Sequence, residues 1–247
     1  MKKVILAELN KLPNQTNYIL FAILATIVIG LGIITFSTIP KELNQQAAVR
    51  SIVFLINPIE LFVAIFLILN VGQEFKNGTL RKNIIDGYTR HEFYIGKIIL
   101  LLLAATFSFL FYLLSFILIS IPYGLLETTL SLLTTQLLGI RFISIIYKAL
   151  FVVSLSFLLK RTTLVFVFYF LWEVMEQIIN GIYLLAITAY EINSSFSLAD
   201  FLPLSSFKAI SEYNNPITLI NVIVTSTYII IMLFIPYFTF QKSNIKP

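Results

Sequence analysis

Six stretches, each apolar for 18 residues or more, dominate the sequence: 18–39, 52–72, 98–121, 142–159, 162–187 and 217–240. A helix rises about 1.5 Å per residue and the hydrocarbon core of a bilayer is about 30 Å thick, so a crossing needs about 20 mainly apolar residues. The six stretches predict six transmembrane helices in a single membrane domain spanning 1–247. Strands of a membrane barrel alternate in polarity and run to about 10 residues, whereas these stretches are longer and apolar on every side. The fold class expected is an all-α membrane protein. Composition agrees, with 58% hydrophobic and 12% charged residues, against about a quarter charged in soluble domains. The first stretch exceeds the 7–15 apolar residues of a cleavable signal peptide, so it is expected to remain as a span.

Charge between the spans predicts orientation. Lys2, Lys3, Lys11, Lys76, Arg81, Lys82, Arg90, Lys97, Lys160, Arg161, Lys242 and Lys246 fall on the side that six crossings give to both termini. Lys41, Arg50, Arg141, Lys148 and Lys208 lie on the other side or within spans. Basic residues accumulate on the cytoplasmic face, so both termini are expected there, in the inner (cytoplasmic) membrane of the cell. The net charge of +5 then reads as topology, and no nucleic-acid partner is expected. The absence of cysteine removes disulfides, iron–sulfur clusters and thiolate zinc sites, and a single histidine cannot build a His-rich metal centre. No catalytic residue is assigned, and the chain is not expected to be an enzyme.

Three pieces lie outside the spans. In residues 1–14, MKKVILAELNKLPN, Ile5, Leu9 and Leu12 share one helical face and Pro13 ends the run. This suits an interfacial helix with its lysines at anionic headgroups; a disordered basic tail is the competing reading. Residues 188–216 form the longest outer loop, too apolar for a linker and broken by Pro203 and Pro216, as in a short folded-back helix or re-entrant cap. Residues 73–97, QEFKNGTLRKNIIDGYTRHEFYIGK, concentrate charge between two spans. Topology alone explains the five basic residues. Glu74, Phe75, Leu80, Ile84 and Ile85 nevertheless recur near helical spacing, with Asn77, Arg81 and Lys82 presenting polar groups. Asp86-Gly87 supplies a turn, and a second short stretch, Arg90 to Ile95, leads through Gly96-Lys97 into the third span. Such a hairpin is expected to offer a docking surface.

The order Glu74, Gly78-Thr79-Leu80-Arg81, Arg90, Gly96-Lys97, set among six spans, an amphipathic N-terminus and a dipping loop before the last span, resembles the type-2 ATP-binding-cassette (ABC) transporter permeases. These are the membrane subunits of many bacterial exporters. The resemblance implies a cytosolic coupling helix between spans two and three, with Glu74, Phe75, Gly78, Thr79, Leu80, Arg81, Ile84 and Ile85 facing a cleft in a separate ABC ATPase subunit. It also implies a second permease subunit, identical or related, and ATP and Mg bound by the ATPase, with no cofactor in this chain. One departure is the turn Gly87-Tyr88-Thr89, where that family often has Ser-Pro. The chain lacks a P-loop of its own, because Gly96-Lys97 is followed by Ile98 and His91 stands where the first glycine is needed.

Four ionisable residues fall inside spans: Glu60, Lys148, Glu173 and Glu176. Each costs about 2.5–3.5 kcal/mol on insertion scales and therefore needs a reason. Glu60, Lys148 and Glu173 reach similar depth, Lys148 and Glu173 face each other across a short hairpin, and Glu173 and Glu176 share a helical face. One reading is a polar lock between helices. Another makes Glu60, Glu173 and Glu176 line a substrate path. A third is a proton relay, and with it the alternative class: an ion-gradient-driven secondary transporter or channel using Glu60, Lys148 and Glu173.

Overall fold

Every backbone N–H and C=O in hydrocarbon needs a partner, and helices supply one internally. In the computed structural model the chain accordingly folds into six long helices and, among the described residues, no strands. The structure describes residues 15–37, 45–76, 82, 84–85, 87–121, 137–190, 198–204 and 219–242. The helices are α1 (Gln15–Ser37), α2 (Gln45–Lys76), α3 (Arg90–Ser120), α4 (Leu137–Leu159), α5 (Thr162–Tyr190) and α6 (Leu219–Lys242), with a 3-10 turn at Leu198–Phe201 before the last. All six are long and apolar enough to cross a membrane, so the protein reads as a multi-pass membrane protein.

The helices match the six apolar stretches but overrun several of them. The second reaches from 45 to 76 rather than 52 to 72, and the third begins at Arg90 rather than 98. Hydropathy marks where a helix is greasy, whereas hydrogen bonding continues into the polar flanks until something stops it. At the start of α3 that boundary is a capping box: Thr89 Oγ1 accepts from the Glu92 N–H at 3.2 Å, and the Thr89 N–H donates to the Glu92 carboxylate at 3.1 Å. The stretch Arg90 to Ile95 is therefore the first turns of the third span, not a separate short helix.

Antiparallel packing gathers the start of α1, the ends of α2 and α4, the starts of α3 and α5 and the end of α6 at one end of the bundle. Asn70 donates to Asn17 at 3.4 Å there. Lys82, Lys160, Arg161 and Lys242 are exposed at this end, which is called the basic end below.

α2 and α4 form the centre. Of their apolar windows 61% is buried in each, against 17% for α5 and 22% for α1 and for α6. α1 lies against α2, α6 lies against α4, α3 and α5 each pack on both α2 and α4, and α2 and α4 pack on each other. The outer helices turn Ile19, Ile23, Val174, Ile178, Ile223 and Ile230 outward, the surface that hydrocarbon tails would cover. Hydroxyls on these faces satisfy themselves: Thr26, Thr106, Thr188 and Thr227 each donate to the carbonyl four residues back. In α6, Pro236 provides no N–H for the preceding turn. Beside that weakened turn, Tyr94 of α3 donates to the Leu233 carbonyl at 2.7 Å and ties the two helices together.

Candidate functional site

Two polar constellations stand out, one at mid-depth and one at the basic end. At mid-depth, Glu60 of α2 meets Lys148 of α4 at 2.6 Å and accepts from Ser144 Oγ. Glu173 of α5 lies 3.7 Å from the same ammonium. The three residues expected at similar depth thus form one cluster across the three helices α2, α4 and α5. Lys148 is shared, and its tighter partner is Glu60 rather than the hairpin neighbour Glu173. Glu60 is 4% exposed with both oxygens engaged, whereas the Glu173 side chain is 31% exposed. A low-dielectric setting strengthens the close pair, which must offset the loss of hydration of both charges.

Glu176 does not join this cluster. Its carboxylate accepts from Trp172 Nε1 at 2.6 Å and from the backbone N–H of Leu204 at 3.0 Å. The helical spacing that puts Glu173 and Glu176 on one face does not give them one partner, and the Leu204 N–H, 28 residues further on, had no sequence signal. Two tyrosines hold the same segment: Tyr147 donates to the Pro203 carbonyl, and Tyr228 to the Phe201 carbonyl at 2.8 Å. Residues 198–204, inside the expected outer loop 188–216, are therefore docked among α4, α5 and α6.

The basic end holds the candidate coupling segment. Glu74, expected on a partner-facing surface, is buried and paired with Lys97 at 2.6 Å; Lys97 is wholly buried, with its ammonium 5.1 Å from the centre of the Phe93 ring. Phe75 likewise faces inward, edge-on to Phe157 at 5.4 Å and to Phe240 at 6.4 Å. Phe93, Tyr94 and Phe240 complete the aromatic cluster around Phe157, with centroids 4.9–6.2 Å away. The helix simply continues past the apolar run, so its 3.6-residue period carries Glu74 and Phe75 to the core side of α2. Arg90 donates to the Gln241 carbonyl and so caps the end of α6.

Gly78, Thr79, Leu80 and Arg81 lie outside the described residues, as does the expected interfacial helix 1–14. Ile84 is half-buried against the core, while Ile85 is 73% exposed and Lys82 is exposed. Gly87 takes a positive φ of 93° and donates to the Ile84 carbonyl at 3.1 Å, the backbone shape for which glycine is suited. The structure thus separates the eight sequence-selected coupling residues into an inward pair, Glu74 and Phe75, a half-buried Ile84 and an outward Ile85, with the others undescribed. Lys97 and Ser144, which complete the two ion-pair sites, were missed as partners; nothing local in sequence links positions 74 and 97 or 60 and 144.

No protein-family model matches the chain, and no curated protein compared with it matches.

Proposed function

We propose that the chain is the membrane-spanning permease subunit of an ATP-driven exporter of the type-2 ABC kind. The observation that carries the reading is the base of the α2–α3 connection. Glu74–Lys97, the Phe75–Phe157–Phe240 cluster and the Arg90 contact with α6 bind it to four helices, while Lys82 and Ile85 face outward. A connection whose base is seated so firmly transmits a push instead of absorbing it, because packed cores resist continuous deformation. In this reading residues 73–97 are the coupling segment and residues 1–14 an interfacial helix.

ATP and Mg are bound by a separate ABC ATPase, and the permease pairs with a second copy or a related chain. The pair sits in the cytoplasmic membrane with both termini cytoplasmic. ATP-driven approach of the ATPases moves the coupling segments, and the two permease halves switch access across the bilayer. The alternative, a secondary transporter driven by an ion gradient, is favoured by one observation, the mid-depth Glu60–Lys148–Glu173 cluster with its partly exposed carboxylate.

Affinity purification of the tagged chain from its native membrane separates the two. The permease reading expects an ATPase subunit to copurify, and Ile85→Asp to remove it while six-span insertion persists. Recovery of the chain without any ATPase, with cargo movement that stops when the ion gradient is dissipated, would establish the alternative.

A further inference from the structure

A helix is stiff where its hydrogen-bond ladder is continuous, and a proline breaks the ladder by removing one N–H and pressing its ring on the carbonyl four residues back. Pro236 does this near the end of α6, so the Met232 carbonyl loses the N–H that an unbroken helix would bring to it. Just past the break, Thr239 Oγ1 donates to the Pro236 carbonyl at 3.0 Å, a side-chain bond of the kind that accompanies helix bending.

The two parts of α6 are held by different neighbours. Before the break the helix packs along α4, and Tyr228 donates to the Phe201 carbonyl at 2.8 Å. At the break and beyond it, polar bonds run to the start of α3. Tyr94 donates to the Leu233 carbonyl at 2.7 Å, His91 Nδ1 lies 3.2 Å from the Tyr237 hydroxyl, and Arg90 donates to the Gln241 carbonyl. Leu233, Tyr237 and Gln241 are spaced four apart, so the three contacts descend one face of α6 in consecutive turns. Rings fill the same seam, with Tyr94 and Tyr237 centroids 5.4 Å apart and Phe93 and Phe240 5.8 Å apart. Toward α4 the last turns offer Phe240, edge-on to Phe157 at 5.1 Å. That contact is apolar, whereas the bond from the Arg90 guanidinium is charge-assisted and directional.

We propose that α6 is jointed at Pro236 and that its last turns, 237–242, are clasped to the start of α3 by Arg90, His91 and Tyr94, so that they belong mechanically to the α2–α3 connection while the longer part of α6 stays on α4. A push entering at the connection bends α6 at the joint, where a helix without proline would have to tilt as a whole. The device is built from these contacts and holds whether an ATPase or an ion gradient supplies the push. The last turns are about 9 Å long, so a swing of about 20°, the size of a proline kink, carries Lys242 sideways by about 3 Å.

The chain has no cysteine, so introduced cysteines take spin labels without background. In nanodiscs holding the full chain, pulsed electron–electron resonance reads two pairs. Leu164→Cys with Lys242→Cys sets the last turn of α6 against α5, and Leu164→Cys with Ile230→Cys sets α6 before the break against the same reference; all three sites are exposed. Removing the clasp with Arg90→Ala and Tyr94→Phe is expected to broaden the first distance distribution by about 3 Å, the swing allowed by the kink, and to leave the second as it was. Adding Pro236→Ala, which restores the missing N–H, should return the first to its original width. An unbroadened first pair overturns the clasp. Equal broadening of both pairs overturns the joint, because α6 then moves as one rod, and broadening that survives Pro236→Ala overturns it as well, because the freedom then lies elsewhere. Should the clasp variant lose helix content by circular dichroism, Tyr94→Phe alone decides, since it removes a single hydroxyl: broadening of the first pair supports the clasp and an unchanged width overturns it.

Discussion

Lys148 is the residue on which the middle of the molecule turns, because one ammonium serves two carboxylates of unequal hold. Its contact with Glu60 is 2.6 Å long and nearly sealed, while its contact with Glu173 is 3.7 Å long and partly open. Breaking a buried pair leaves a charge with no partner, which costs about 3–5 kcal/mol, whereas removing both charges together is often near neutral. Lys148→Met is therefore expected to lower stability by about 3 kcal/mol or more. The double variant Glu60→Leu with Lys148→Met should recover most of that loss. Glu173→Gln should cost no more than about 1 kcal/mol, as for a partly exposed pair. Thermal unfolding in detergent, followed by the emission of Trp172, the single tryptophan, gives the ranking. A double variant as unstable as the worse single one would show that Glu60 and Lys148 do not act as a unit.

At the scale of helices, close approach decides the packing at the basic end. A Cβ added to Gly72 would stand 2.8 Å from Thr162 Oγ1 and 3.1 Å from Thr162 Cα. The second of these neighbours is backbone, so no rotamer change relieves it. Gly72→Ala must push α2 and α5 apart, at about 1–3 kcal/mol for an overpacked site. Adding Thr162→Ala removes the clash with the hydroxyl but leaves the one with the main chain, so the pair should recover only part of the lost melting temperature. Complete recovery would show that the hydroxyl alone sets the spacing. The existence of the six helices was legible because about 20 apolar residues in a row have few other uses. Their ends were less so: Gln45 to Arg50 and Arg90 to Lys97 extend helices through polar sequence, and at Arg90 to Lys97 a cap and tertiary partners rather than hydropathy set the boundary. Glu60, Lys148 and Glu173 could be placed at one depth from helical rise alone. The pairing of Glu74 could not, because its partner Lys97 stands 23 positions away across a turn.

For the molecule as a whole, the buried Glu74–Lys97 pair changes how charge orients the bundle. Topology follows basic residues that remain near the membrane surface and hydrated. Lys97 is wholly buried against an acid, so it contributes no net charge to that end, and the signal falls to residues such as Lys82, Lys160, Arg161 and Lys242, all exposed. Exchanging the pair, Glu74→Lys with Lys97→Glu, should leave the orientation unchanged. Neutralising the four exposed residues together should produce a fraction of inverted molecules. The measurement is labelling of Ile85→Cys, at a site 73% exposed, with a membrane-impermeant maleimide. With the basic end cytoplasmic, intact cells leave this cysteine unlabelled and inverted vesicles label it; the four-residue variant should gain labelling in intact cells. Labelling of the otherwise unaltered chain in intact cells would put the basic end outside, out of reach of any cytosolic ATPase. Because one motor-driven reading and one orientation share this surface, a single labelled position tests both.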